Sequence, residues 1–180
     1  MPSLASLSQA WAESDALLDE LLEQMEPVFA EVRASLIATL GRLPTNADGT
    51  IRGAMSAKKL IDDLNMERSI LSGIGSAMPG AVESARPLLT EVGLSVPAVS
   101  RRAQLVFLAK AGDAVKDVLG AYSKGLAGLL TQAASTPMSQ RQIAQIASDL
   151  LDQPIAQARS ISNTALSGLQ RETTAQAAQG

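Results

Sequence analysis

The chain has 180 residues, enough for one domain with a hydrophobic core, and holds 30 Ala and 25 Leu against four aromatic residues. This composition favours helices and argues against a β-sandwich or barrel. Without Cys or His, thiol nucleophiles, disulfides, the usual zinc sites and imidazole catalysis are excluded. Residues 1–50 hold eight acids and two bases, whereas residues 51–180 hold ten acids and thirteen bases. The two parts of one chain, or of neighbouring copies, are therefore expected to attract each other.

Residues 1–41 predict a long amphipathic helix. Apolar residues recur at alternating spacings of three and four, as in a coiled-coil heptad, with Ser14 as the one polar residue in the seam. Pro27 lacks an amide proton and crowds the preceding turn, which predicts a kink or break near Glu26. Trp11 is either a core residue or a partner anchor, and its acidic surroundings favour the anchor. The residues expected to protrude and bind a partner are Leu4, Leu7, Trp11, Leu18, Leu21 and Met25.

Residues 42–55 predict a connector, because Pro44 and Asp48-Gly49 favour turns. A phosphate-binding loop is not predicted there, since the Gly-Lys-Ser/Thr ending is missing. A helical body is expected over residues 56–172 and a frayed tail over residues 173–180. The body's first helices are predicted at 56–76, at 81–92 after a turn at Pro79-Gly80, and at 97–134. The predicted fold class is therefore all-α, an elongated multi-helix bundle with a long N-terminal amphipathic helix.

The later helices carry clear local signals. Gly93 is expected to end the helix over 81–92. The next helix start has two candidates: Thr136 as the cap before Pro137, or Ser139 in a capping box with Gln142. A final helix follows Pro154. Leu105 belongs to the apolar repeat of the helix over 97–134, and this helix also contains four glycines. These glycines predict a tight crossing with a neighbouring helix, and they are Gly112, Gly120, Gly125 and Gly128.

No set of residues indicates a reaction, a cofactor or a metal site. Carboxylate pairs at four-residue spacing are typical of solvated helix faces, and a bundle-type di-metal site would need His. The pairs are Asp15/Asp19, Asp19/Glu23 and Asp113/Asp117. The serine–lysine neighbours Ser56/Lys59 and Ser123/Lys124 lie on no recognisable nucleophile turn. The adjacent bases Lys58-Lys59 and Arg101-Arg102 predict at most a weak phosphate or DNA contact.

The order of these features resembles a known family. A Leu-Pro-x-x-x-x-Gly connector at Leu43, Pro44 and Gly49 precedes Ala-rich helices and a Ser-x-Arg-Gln-Ile-Ala start at 139–144. The helix that follows carries the motif residues Ala158, Ile161, Thr164, Ala165, Gly168 and Arg171. Together they resemble the N-terminal helical region of tailed-bacteriophage minor head proteins, the head-morphogenesis family. Asn163 departs from the family, which often has a basic residue before the Thr.

The resemblance implies a virion component, made in the cytoplasm of a bacterial host, that acts near the portal in head assembly or genome delivery. It implies docking on portal or capsid protein, homo-oligomers in the particle and no catalysis in this region. Longer family members continue past this motif into a mixed domain, so we expect a short member or an N-terminal piece. No secretory signal or membrane span is predicted.

Two other functions remain open from the sequence. An internal ejection protein of a short-tailed phage is also Ala-rich and helical, and it would form a DNA-delivery tube that meets a membrane. A bacterial helical interaction module, such as a secretion chaperone, would have the same composition.

Overall fold

A computed structural model describes residues 4–52 and 56–179. Within these ranges the fold is all-α, which confirms the predicted class. The helices are α1 Leu4–Glu23, α2 Glu26–Leu40, α3 Ala57–Asp63, α4 Met66–Glu83, α5 Arg86–Glu91, α6 Arg101–Ser135, α7 Gln140–Leu150 and α8 Asp152–Gln179.

The helices form two compact units. The first unit contains residues 4–26, 71–113 and 159–179, and the second contains residues 27–70 and 114–158 apart from 53–55. The predicted division at residues 41 and 55 differs from this one, because helices α4, α6 and α8 each contribute to both units. The connector's last residues, 53–55, lie outside the described residues.

The predicted break in the N-terminal helix is confirmed. Helix α1 ends at Glu23 and α2 begins at Glu26, so that Pro27 is the second residue of α2. This position suits proline, because amides in the first turn of a helix have no partner within it. At the break, the amide of Met25 donates to the carbonyl of Leu22 at 3.1 Å, a tighter turn than the α-helix makes.

Two predictions about the following helices are wrong. The helix expected over 56–76 is interrupted at Leu64–Asn65, where Asn65 adopts φ 51°, the left-handed conformation that Asn tolerates better than most residues. Pro79 lies inside α4 rather than in a turn. The buried neighbours Met78 and Val82 show why the helix continues: packing on both sides of Pro79 offsets the loss of one amide donor.

The C-terminus of α5 and the N-terminus of α7 lie at residues that the sequence predicted. Gly93, at φ 76°, ends α5 as predicted: its amide donates to the Thr90 carbonyl at 3.0 Å, and the amide of Leu94 donates to the Leu89 carbonyl at 2.8 Å. Helix α7 begins with Ser139 as its cap, whose hydroxyl oxygen accepts from the Gln142 amide at 3.0 Å. Of the two predicted starts, the structure therefore has Ser139 rather than Thr136.

The predicted frayed tail is wrong as far as residue 179. Helix α8 continues to Gln179, with Thr173 and Ala177 buried. Ala177 packs in a cluster with Ala85 and Leu89 of the first unit. Small side chains can thus dock a terminal helix by close approach, although they give no large apolar signal in the sequence. Gly180 lies outside the described residues.

The predicted tight crossing at the α6 glycines is also wrong. A Cβ added at Gly120 or Gly128 would have no heavy atom within 4 Å, and the other two α6 glycines have only ordinary van der Waals neighbours. The close approaches lie in the first unit at two other glycines. A Cβ at Gly80 would lie 2.7 Å from Leu21 Cδ2, and one at Gly168 would overlap the ring of Phe107.

Candidate protein interface

Helix α1 has one buried and one exposed side. Ala10, Ser14 and Leu18 are buried, and the helix packs against α5. Leu4 is 87% exposed and Trp11 is 60% exposed. Because residues at spacings of seven and four share a side of a helix, the exposed side chains Leu4, Trp11, Asp15 and Asp19 form one line, which we call the α1 edge.

The structure divides the residues predicted to bind a partner. Leu4 and Trp11 are exposed, Leu7 and Leu21 are partly buried, and Leu18 and Met25 are buried. The last two therefore belong to the core of the first unit and are not available on its surface. Leu21 contacts Gly80 of α4. Of the six residues, only Leu4 and Trp11 are exposed, and both lie in the amino-terminal half of α1.

A buried polar cluster fixes the rotation of α1. The hydroxyl of Ser14 donates to the Ser84 carbonyl at 2.8 Å and accepts from the side-chain amide of Gln170. That amide also donates to the Ser84 hydroxyl oxygen at 3.0 Å. Buried polar groups need such partners, so Ser14 must face inward. Leu18, seven residues after Trp11 on the same side of the helix, is buried, so Trp11 is exposed because nothing covers this side at its level.

The exposed side of α1 is negatively charged. Its five acids, all exposed and with no base among residues 4–26, are Glu13, Asp15, Asp19, Glu20 and Glu23. Within the described part of the chain, none of these five forms an ion pair. An apolar anchor beside uncompensated acids favours a partner that offers an apolar patch with bases around it.

The motif that carries the family resemblance lies on α8. Ile161, Thr164, Gly168 and Arg171 share one side of that helix, by their spacing of three, four and three. Thr164 and Arg171 are exposed, whereas Ile161 is half-buried. The Thr164 hydroxyl donates to the Ser160 carbonyl at 3.0 Å. Gly168 has a packing function, because the Phe107 ring occupies the space that a side chain would need.

Several other polar groups singled out in the sequence have structural partners. Ser56 caps α3, its hydroxyl oxygen accepting from the Lys59 amide at 3.4 Å. Lys58 and Lys59 pair with acids one turn later, at 3.7 and 3.6 Å. The connector forms a closed loop in which the Thr50 hydroxyl donates to Asp48 at 2.6 Å and thereby lowers the pKa of that carboxyl.

Two sets of hydrogen bonds in the second unit could not be predicted from the sequence. The Arg33 guanidinium donates to the carbonyl and the hydroxyl oxygen of Ser148, both at 2.7 Å, and pairs with Asp152, so it joins α2 to the α7–α8 junction. The hydroxyl of Tyr122 donates to the Ala147 carbonyl at 3.2 Å, and burial raises its pKa. Both arrangements depend on residues far apart in the chain.

Leu105 is exposed although it belongs to the apolar repeat of its helix. It is 54% exposed, and Val106 is 45% exposed. Arg101 and Arg102 stand exposed just before them and Lys110 just after. We call the exposed first part of α6 that these five residues form the α6 face; Arg102, Val106 and Lys110 lie on one side of it, at a spacing of four residues.

Compared with protein-family models, with curated proteins and with solved structures, the chain shows no significant similarity to any of them. Along residues 4–52 and 56–179, no helix has both the length and the apolar character that a membrane crossing requires. The same residues include no group of three or more acids placed to hold a metal ion.

Proposed function

We propose that the protein is a structural component of a phage particle, a minor head protein that works by docking on neighbouring protein subunits. The observation that carries the docking part is the α1 edge, where Trp11 and Leu4 are exposed on an ordered, acidic helix. Trp is one of the residue types enriched among interface anchors. A helix that is already folded loses little conformational freedom when it binds.

The phage assignment rests on a different observation, the resemblance of residues 139–171 to minor head proteins. In this function, the chain enters the particle with portal or capsid protein and with further copies of itself, and it holds subunits together rather than transforming a substrate. Its acidic edge raises the rate of encounter with a basic surface more than it raises the final affinity.

The experiment uses purified particles of a phage that encodes the chain. We expect peptides of the chain in the particle, and after mild dissociation we expect it to migrate with the ring-shaped portal or with the capsid protein. Particles that lack the chain would contradict the phage assignment. Leakage of dye from vesicles exposed to the purified chain would instead support an ejection protein.

A variant tests the docking surface in the same particles. Trp11→Ala is expected to lower the amount of chain in each particle several-fold, because it removes the anchor. Ile146→Ala is the matched control, since Ile146 is also an exposed large apolar residue and belongs to a different helix, α7. Equal incorporation of both variants would contradict docking through this edge.

A further inference from the structure

The α6 face has the composition of a surface that receives an acidic, apolar partner. Leu105 and Val106 supply the apolar part, and bases stand on both sides of them along the helix. Between Arg101 and Lys110 there is no acid; Asp113, also exposed, follows one turn later. Within the described residues, neither Arg101 nor Arg102 forms an ion pair or a hydrogen bond through its side chain.

The spacing on this face matches the spacing on the α1 edge. Asp15 lies four residues after Trp11, a rise of about 6 Å along a helix. Arg102 and Lys110 lie four residues before and after Val106, at the same rise. When Trp11 rests near Val106, a base therefore faces Asp15 whether the two helices run parallel or antiparallel.

We propose that the α6 face of one copy binds the α1 edge of a second copy. This rests on the proposed function, because it names the partner of the same α1 edge. The two surfaces carry opposite uncompensated charge, and both are exposed in a single chain, so a lone copy leaves both in water. Association places Trp11 over Val106 and the neighbouring Leu105, with Asp15 facing Arg102 or Lys110.

In the proposed contact, the α1 edge and the α6 face of one copy face two different neighbours, so the contact is heterologous. Each copy that binds through its α1 edge still offers its α6 face to the next copy. Such contacts produce a closed ring when the rotation between copies permits it, and an open chain of copies otherwise. A dimer with twofold symmetry, by contrast, would make this contact twice between the same two copies, and association would stop at two.

The experiment measures the mass of the purified full chain by sedimentation over a range of concentrations. We expect association beyond a dimer that weakens as salt is added, because exposed charges are screened. The emission of Trp11, the single tryptophan of the chain, should shift to shorter wavelength as copies associate. Arg102→Glu alone, or Asp15→Lys alone, should weaken association about tenfold or more, and the two together should restore part of it.

A mixing experiment tests the heterologous geometry. One variant, Leu4→Ser with Trp11→Ala, lacks the α1 edge; the other, Leu105→Ser with Val106→Ser, lacks the α6 face. All four positions are exposed, and circular dichroism and melting verify that both variants fold. Each variant alone should remain monomeric, whereas their mixture should give a 1:1 dimer that grows no further. Ile146→Ser, on another exposed surface, should associate like the original chain.

Several results would overturn the proposal. They are a monomer at every concentration, association that the α6 variants leave unchanged, and a mixture that stays monomeric. A monomer that binds vesicles of anionic lipid in an Arg102-dependent way would overturn it too, by assigning the α6 face to a membrane. A monomeric chain whose Trp11 is still required for entry into particles would refute this contact while the proposed function stands.

Discussion

The two halves of α1 carry the same apolar repeat but have opposite environments. Leu4 and Trp11, in the first half, are exposed, whereas Leu18, in the second half, is 5% exposed and Met25 after it is also buried. The difference arises outside the helix, since α5, Gly80 and the Ser14 cluster cover only one side and one end of it. A heptad repeat thus predicts which residues share a side, but not which of them the rest of the protein covers.

The largest expected effect is on the free energy of unfolding, and it should differ between a substitution in the second half of α1 and one in the first half. Leu18→Ala should lower the free energy of unfolding by about 2 to 5 kcal/mol, because it leaves a cavity in the core of the first unit. Trp11→Ala removes a larger side chain and should change that free energy by about 0.5 kcal/mol or less, since its site is in solvent. Urea denaturation followed by circular dichroism gives both values. Similar losses for the two variants would show that α1 is equally covered along its length.

Two glycine substitutions test how tightly the second half of α1 is packed. Gly80→Ala should be less stable than Gly120→Ala by about 1 to 3 kcal/mol, because only at Gly80 does the new methyl group overlap Leu21. Alanine is favoured over glycine in a helix by about 1 kcal/mol, so Gly120→Ala should stabilise the protein. Thermal melting of the two variants checks the order. Equal stability would mean that Leu21 moves aside freely and that α1 is loosely packed there.

Local chemistry in the sequence predicted much of this fold, and contacts between distant residues decided the rest. The apolar repeats predicted α1 and α6, and Pro27 predicted the break between α1 and α2. Gly93 predicted the end of α5, and Ser139 was one of the two predicted starts of α7. Each of these signals acts within about one turn of the chain. Pro79 remained helical and Leu105 became exposed because of packing that no local pattern encodes. For the candidate interface, Trp11 could be predicted from its acidic surroundings, whereas the exposed α6 face could not.

A smaller effect is expected from substituting Ser14 of α1, with Ser8 as a comparison. Ser14→Ala should lower the free energy of unfolding by about 1 to 2 kcal/mol, because it removes the hydrogen-bond donor to the buried Ser84 carbonyl and one acceptor of Gln170. Ser8→Ala is the matched control on the exposed side of the same helix, and alanine's helix propensity should make it neutral or slightly stabilising. Chemical denaturation measures both. An equal response would mean that the polar cluster does not hold α1 in its rotation.

The smallest effect at neutral pH is expected at Tyr122, an aromatic residue that is buried, whereas Trp11 is exposed. Tyr122 is 4% exposed, and burial raises its pKa from the ordinary value of 10.0. A raised pKa means that the folded protein holds the phenolic proton more tightly than the unfolded chain does. The stability that this provides is complete below pH 10 and is lost as the pH rises above it, by up to about 1.4 kcal/mol per pH unit.

Tyr122→Phe isolates that contribution. At pH 7 it should cost about 0.5 to 1.5 kcal/mol, the value of the hydrogen bond to the Ala147 carbonyl. Above pH 10 the variant should lose less stability per pH unit than the original chain, so that the two curves converge, whereas Trp11→Ala should run parallel to the original chain throughout. Denaturation midpoints between pH 7 and pH 11 test this. Parallel curves for Tyr122→Phe would show that the phenol titrates as freely as it does in the unfolded chain, and that its surroundings are as wet as those of Trp11.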